Sequence, residues 1–140
     1  MRWTYPAEAA SCSAARRTAC DLARAHGADD EGLNRIALGV TEAVTNAVLH
    51  AYLEHEPAPD DIEVELVFED EVARLVVRDH GLGVRPGARS LGLGLRLMAH
   101  AAEEFEVSPR EGGGTQVRMT VRLRAGEPSG TAGEARAAGA

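Results

Sequence analysis

Hydrophobic positions in the first half of the chain recur with a helical period. The segment 7–26 is rich in helix formers and is followed by Gly27, a residue that commonly ends a helix. A second helix is predicted over 31–53, and the two prolines of the segment 54–60 end it. One side of this second helix carries the apolar residues Leu33, Ile36, Ala37, Val40, Val44, Ala47, Val48 and Ala51. That side is therefore predicted to pack against the rest of the protein.

The second half of the chain changes to the two-residue period of β-strands. Strands are predicted over 2–5, 61–70, 72–79, 103–109 and 115–124. In the strand 61–70 apolar residues alternate with mostly acidic ones, which indicates a half-exposed strand, whereas 72–79 is more continuously apolar. A late helix is predicted over 91–102 despite its two glycines. This order of elements predicts an α/β protein, a two-layer sandwich with a mainly antiparallel sheet.

The second helix also carries a polar stripe. Glu42, Asn46 and His50 recur at every fourth residue and lie roughly opposite the apolar side, together with Gly39. A carboxylate such as Glu42 can orient or deprotonate a nucleophile. Asn46 offers a neutral oxygen, which suits a magnesium ion that also holds substrate phosphates. A solvated polar face is the structural alternative for this stripe.

The predicted strand 72–79 ends on an acidic residue that is followed by glycines. Asp79 is separated by one residue from Gly81, and Gly83 follows after one more. A carboxylate at this place can accept a hydrogen bond from an exocyclic amine, and glycines let the backbone approach a ligand closely. A simple turn is the alternative, because turn residues also cluster at strand ends.

Two further glycine motifs follow along the chain. Gly92 and Gly94 lie at the start of the late helix, where exposed N–H groups and the helix dipole favour a phosphate. Close helix packing is the alternative explanation for them. A glycine-rich turn at 112–114 leads into Thr115 at the head of the last strand, and a plain hairpin is the alternative there.

Composition and charge exclude several classes of function. The net charge of −7 argues against a nucleic-acid-binding protein, since no basic surplus exists to neutralise phosphates. All 15 basic residues are arginine, which excludes a Walker A loop and the strand lysine of ordinary protein kinases. Cys12 and Cys20 lie about 12 Å apart on the first predicted helix, too far for a disulfide, so free structural thiols are predicted.

The folded part of the chain is predicted to be one domain, over 1–124. The segment 125–140 contains no large apolar residue and is predicted to be a disordered tail. No apolar run approaches the roughly 20 residues that span a bilayer. The N-terminus lacks the basic-then-apolar layout of a signal peptide, so a cytoplasmic protein is predicted.

Taken together, the four motifs resemble a known family. Glu…Asn, Asp-x-Gly-x-Gly, Gly-x-Gly and Gly-Gly-Thr follow one another in the order of the N, G1, G2 and G3 boxes of the GHKL ATP-binding superfamily. The stretch EAVTNAVLHAY (42–52) is most similar to the bacterial anti-sigma-factor serine/threonine kinases. The resemblance covers about residues 5 to 124. It implies the Bergerat fold, a mixed, mainly antiparallel sheet covered by helices on one face.

The resemblance implies a role for each motif residue. Glu42 would activate the hydroxyl of a protein substrate, and Asn46 would ligate Mg²⁺. Asp79 would bind the adenine amine of ATP with help from Thr115. The nucleotide and its lid would be lined by Gly81, Gly83, Gly92 and Gly94.

The function implied is that of an ATP-binding anti-sigma factor and protein serine/threonine kinase. Its partners would be a sigma factor and an antagonist protein that is phosphorylated, with a possible homodimer. Only VRPGARSL separates Gly83 from Gly92, whereas family members that phosphorylate efficiently usually carry a longer ATP lid. A non-catalytic nucleotide-binding anti-sigma module is therefore the alternative. The catalytic half of a histidine kinase is disfavoured, because no helical hairpin with a phosphoacceptor histidine fits in the chain.

Overall fold

The computed structural model describes residues 1–53, 61–80, 93–111 and 113–124. Its elements are, in chain order, β1 (Arg2–Pro6), α1 (Ala9–Ala25), α2 (Asp30–Leu53), β2 (Asp61–Glu69), β3 (Val72–Arg78), α3 (Leu93–Ala101), β4 (Glu104–Pro109) and β5 (Thr115–Arg122). Every predicted strand and helix is present. The predicted tail 125–140 lies outside the described residues.

The first helix begins later than predicted, at Ala9, and a local turn explains the difference. Glu8 is extended, with φ −140° and ψ 160°. The carbonyl oxygen of Pro6 accepts hydrogen bonds from the Glu8 N–H at 2.8 Å and from the Ser11 hydroxyl at 2.5 Å. These bonds tie the end of β1 to the first turn of α1, so the chain turns before the helix starts.

The described strands form one sheet in the order β1-β2-β3-β5-β4, and each neighbouring pair is antiparallel. The expected mixed sheet is therefore wrong for the described strands. The chain passes from β3 through α3 to β4, which runs parallel to β3, but β5 lies between them and pairs with both. Because β5 occupies that position, the helical connection creates no parallel strand pair.

Helices cover one face of the sheet, as predicted, and the core lies between the two layers. Alternate strand residues such as Leu66, Leu75 and Met119 are fully buried and face α2 and its neighbours. Gly39 corrects the helical-wheel prediction, which placed it on the polar side of α2. It is buried, and a Cβ there would lie 2.7 Å from the Met119 sulfur and 3.5 Å from Leu75 Cδ2. The glycine therefore allows α2 to lie close to the sheet.

Small residues bring α1 close to α2. The face of α1 that packs inward is made of Ser11, Ala15, Ala19 and Ala23. Both cysteines are free, as predicted, and their thiols face α2, with Cys12 Sγ 3.7 Å from the Thr41 carbonyl oxygen. Burial raises the pKa of the Cys20 thiol, which disfavours the reactive thiolate. In the described helices, no segment combines the length and apolar character needed to cross a membrane.

The other face of the sheet is polar and carries a network of ion pairs. Arg78 donates to Glu63 at 2.5 Å, to Glu65 at 3.0 Å and to the side-chain oxygen of Gln116 at 2.8 Å. Arg2 also donates to Glu65, at 3.0 Å. These contacts join β1, β2, β3 and β5 at the end of β3, next to Asp79.

The hydrogen bond from Arg2, together with Arg78, holds the pKa of Glu65 below its usual range. A lowered folded-state pKa contributes stability above the unfolded-state pKa, and that contribution is lost as the pH falls through the folded-state pKa. We therefore expect Glu65→Gln to lower the free energy of unfolding by up to about 1 kcal/mol at pH 7. The difference in the free energy of unfolding between Glu65→Gln and wild type should shrink as the pH falls below 4.5, the ordinary pKa of a glutamate.

Urea titrations of both proteins at pH 7 and pH 3 measure this difference. The exposed Glu111 lies in the turn between β4 and β5, and Glu111→Gln provides the matched control. A Glu65→Gln deficit of equal size at both pH values would contradict the expected linkage.

Candidate functional site

Helix α2 runs antiparallel to β5, and this direction carries its polar stripe toward one end of the sheet. Near the start of α2, a Cβ on Gly32 would collide with the carbonyl oxygen of Leu123, just beyond the end of β5. Two turns later, Gly39 lies against Met119 in the middle of β5. Because two turns of helix advance about as far as four residues of strand, another two turns bring Asn46 toward the first residue of β5.

Glu42 and Asn46 lie at the border between the buried and exposed sides of α2. Both side chains are half-buried, while the adjacent Ala43 and Ala47 are buried and Thr45 is exposed. Within the described part of the chain, neither side chain has a hydrogen-bond or ion-pair partner. The two groups lie one helical turn apart, about 6 Å along the axis. His50 belongs to α2, but its side chain lies outside the described residues.

Asp79 and Thr115 meet where β3 ends and β5 begins. The Asp79 N–H donates to the Thr115 carbonyl oxygen at 3.0 Å, and the Thr115 N–H donates to Asp79 Oδ1 at 3.2 Å. Asp79 is 6% exposed and Thr115 is 0% exposed. The structure therefore brings together the two residues that the sequence assigned to one recognition site.

The buried hydroxyl of Thr115 has no hydrogen-bond partner among the residues that the structure describes. Its Oγ1 is the buried side-chain oxygen without one among the described residues. Leaving such a group unsatisfied costs about 1–3 kcal/mol, so a ligand or a bridging water is expected to complete it. Asp79 Oδ1 lies beside the same residue, so a hydroxyl group and a carboxylate come together at this place.

The glycine turn before Thr115 has a specific geometric reason. Gly113 and Gly114 have φ values of 107° and 101°, a region that disfavours residues with a side chain. A Cβ on Gly114 would also collide with the main-chain oxygen of Asp79. The motif that the sequence allowed as a plain hairpin is therefore also a close packing contact with the residue after β3.

Arg110 is a residue of this site that sequence reasoning missed. Its Nη1 donates to the main-chain oxygen of Asp79 at 2.8 Å and lies 3.4 Å from His80 Nδ1. No local pattern distinguishes Arg110 from the other arginines of the chain. Only the folding of the β4–β5 hairpin beside β3 brings it to Asp79.

The remaining predicted residues lie at or beyond the edges of the described ranges. Gly94 is the second residue of α3, so the predicted helix start is present there. Gly81, Gly83 and Gly92 lie outside the described residues, as does the short predicted lid between them. Their assignment to the nucleotide and its lid stays a prediction.

The kinds of side chain at the site indicate which metal ion it would suit. In these ranges no three His, Cys, Asp or Glu side chains gather into a group that could hold a metal ion. Mg²⁺ needs few protein ligands, because it keeps several waters and binds substrate phosphates. The half-buried amide of Asn46 fits such a role.

Comparison with known proteins identifies the family of the chain. The profile of the family described as "Histidine kinase-like ATPase domain" matches residues 5–121. The anti-sigma F factor of Bacillus cytotoxicus is 30% identical over 107 residues, which cover 66% of this chain and 71% of that protein. The anti-sigma F factor of Bacillus thuringiensis (strain Al Hakam) is 29% identical over 106 residues, with the same two coverages of 66% and 71%.

A solved structure shares the fold. The crystal structure of the RsbU and RsbW domains of Rv1364c from Mycobacterium tuberculosis matches 88% of this chain with a TM-score of 0.69 and 24% identity. The chain spans 31% of the length of that protein, so this likeness concerns one part of it. The profile match, by contrast, covers nearly all of the described residues and includes all four motifs of the GHKL resemblance. This chain belongs to the histidine kinase-like ATPase domain family.

Proposed function

We propose that this chain is an ATP-dependent protein serine/threonine kinase that also binds a sigma factor as an anti-sigma factor. One observation carries the proposal. The buried pair Asp79 and Thr115 lies at the end of the sheet toward which α2 carries Glu42 and Asn46. This arrangement supports a recognition site for a base on the same side of the fold as a pair of groups suited to phosphoryl transfer.

The Asp79 carboxylate is the proposed acceptor for the exocyclic amine of adenine. It is buried and fixed by the Thr115 N–H, so its orientation is set before the nucleotide binds. The Thr115 hydroxyl, which has no partner in the described ranges, supports this assignment, because it can hydrogen-bond with the base or with a water between them. Membership of an ATPase-domain family supports ATP as the nucleotide.

Asn46 is the proposed protein ligand of Mg²⁺ through its amide oxygen. Asn46 would hold the ion at this place, and Mg²⁺ would supply electrostatic stabilisation of the negative charge on the phosphates. Asn46 lies in the second half of α2, next to Ala47 and Val48, which are buried against the core. An amide ligand adds no charge of its own, which suits a site that must also accept anionic phosphates.

Glu42 is the proposed base for the substrate hydroxyl. Its carboxylate is half-buried, one turn before Asn46, and would accept the proton that a serine or threonine hydroxyl releases as it attacks the terminal phosphate of ATP, while the bond from that phosphate to the leaving ADP breaks. The chain between Gly83 and Gly92 is short, so we expect slow turnover, since lid closure normally excludes water and positions the phosphate.

The names of similar proteins support one of the two proposed binding partners, the sigma factor. Two relatives carry the name anti-sigma F factor, which supports a sigma factor as the bound partner in one state. The antagonist protein is proposed from the resemblance of the stretch 42–52 to the anti-sigma-factor kinases. In a partner-switching pathway, phosphorylation of the antagonist would decide which of the two proteins this chain holds.

The proposal is tested by incubating the full chain with Mg²⁺, ATP and the cognate antagonist at equal concentrations. We expect mass spectrometry to find phosphate on a serine or threonine of the antagonist, and none after EDTA removes the metal. An antagonist that stays unmodified over many hours, although the chain binds ATP, would remove the kinase part of the proposal. Failure of the sigma factor to co-elute with the chain would remove the anti-sigma part.

A further inference from the structure

Asp79 is fixed from three sides by the hairpin between β4 and β5. Its N–H and its Oδ1 are paired with the main chain of Thr115, at 3.0 Å and 3.2 Å. Its carbonyl oxygen accepts a hydrogen bond from Arg110 Nη1 at 2.8 Å. Since β3 ends at Arg78, the sheet ladder no longer fixes the Asp79 carbonyl, and the arginine contact replaces it.

Arg110 is itself held at the base of the hairpin. Its N–H donates to the Gly114 carbonyl oxygen at 3.0 Å, and its own carbonyl oxygen accepts from the Gly113 N–H at 3.1 Å. The residue is half-buried, and its guanidinium reaches back across the turn to Asp79 and to the ring of His80. The side chain therefore joins the turn of one hairpin to the residue that leaves the neighbouring strand.

We infer that Arg110 is a positioning residue for base recognition: it holds the Asp79 backbone so that the carboxylate faces the exocyclic amine of the base. The inference rests on the proposed function, because it assumes that Asp79 reads adenine. Arg110 acts from the main-chain side of Asp79 and does not itself need to touch the nucleotide. It thereby sets how strongly the site prefers a base with an amine over one with a carbonyl at that position.

The expected effect is moderate and selective. A hydrogen bond from a charged donor to a main-chain oxygen is stronger than a neutral one, but its net contribution in a half-buried position corresponds to about a fivefold change in affinity. Loss of this bond affects the recognition of the amine, whereas the phosphate and metal contacts remain. A purely structural role would instead weaken the binding of all nucleotides alike.

The test compares ATP with inosine triphosphate, whose base carries a carbonyl in place of the adenine amine. Calorimetric titrations on the full chain give the ratio of the two affinities for wild type, Arg110→Met and Arg110→Lys. Arg110→Met keeps the apolar stem and removes the donors, so we expect the preference for ATP to fall about fivefold. Arg110→Lys keeps a charged donor, and its ratio should stay within about twofold of wild type.

Arg122→Met is the matched control, since Arg122 belongs to the same hairpin but lies at the far end of β5, where it pairs with Glu103 at 2.6 Å, away from Asp79. A wild-type ratio in Arg110→Met, or an equal fall in Arg122→Met, would overturn the inference. If Arg110→Met does not fold by circular dichroism, a full loss of selectivity in folded Arg110→Lys overturns it. Wild type that binds neither nucleotide overturns the proposed ATP site itself.

Discussion

Replacing Glu42 by glutamine is expected to slow phosphotransfer to the antagonist by about a thousandfold while the affinity for ATP stays within about twofold. General base catalysis typically contributes about 10²–10⁴ in rate, and glutamine keeps the shape of glutamate but cannot take a proton. Glu42 is half-buried at the edge of the core face of α2, so the change leaves the packing of the helix intact. Single-turnover assays with excess protein over ATP measure the rate of the chemical step.

The control is Glu31→Gln, the same chemical change near the start of α2. Glu31 is exposed and pairs with Arg35 at 3.3 Å, about 16 Å along the helix from Glu42. This variant should transfer phosphate at the wild-type rate. If Glu42→Gln also transfers at the wild-type rate, Glu42 is not the base. If it loses ATP affinity to the same extent as activity, its role is in binding.

The second large effect is a loss of ATP affinity, which we expect from Asp79→Asn at the other end of the candidate site. The amide oxygen of asparagine can keep the hydrogen bond from the Thr115 N–H, which places its NH₂ group where the other carboxylate oxygen was. That group would then meet the adenine amine, donor against donor. Since a hydrogen bond to a charged group contributes about 1.5–3 kcal/mol, ATP should bind on the order of a hundredfold more weakly.

Calorimetry with ATP and with inosine triphosphate separates a loss of base recognition from a general loss of nucleotide binding. The asparagine NH₂ group can donate to the inosine carbonyl, so Asp79→Asn should lose the preference for ATP altogether. Asp70→Asn is the matched control, because Asp70 is exposed in the turn between β2 and β3 and has a φ of 52°, which asparagine tolerates well. An Asp79→Asn protein that keeps the wild-type preference would show that Asp79 does not read the base.

The fold was largely predictable because its elements carry clear periodicity. The alternation at Val117, Met119 and Val121 predicts β5, and those residues are buried against the helices. Gly39 shows where a helical wheel fails. The wheel assumes one buried side, whereas α2 packs against α1, α3 and the sheet, so a glycine that the wheel places among polar residues lies against Met119. Which side of a helix is buried depends on its neighbours.

Parts of the candidate site that belong to sequence motifs could be predicted from the sequence. Parts that depend on contacts between distant residues could not. Asp79 and Thr115 were assigned to one site from motif order, and their hydrogen bond brings them together. The interaction of Arg110 with Asp79 joins residues 31 positions apart, and nothing in the local sequence marks it. The collision that a Cβ on Gly114 would cause with Asp79 is likewise visible only when the hairpin and β3 are side by side.

We propose that the ends of β3 and β5 and the polar stripe of α2 form one ATP site. The most direct test is a calorimetric titration of the wild-type chain with ATP and with inosine triphosphate in the presence of Mg²⁺. We expect one ATP to bind per chain. Inosine triphosphate should bind at least about tenfold more weakly, because its base has no amine that could donate a hydrogen bond to Asp79. Absence of saturable ATP binding, or equal affinity for the two nucleotides, would contradict this ATP site.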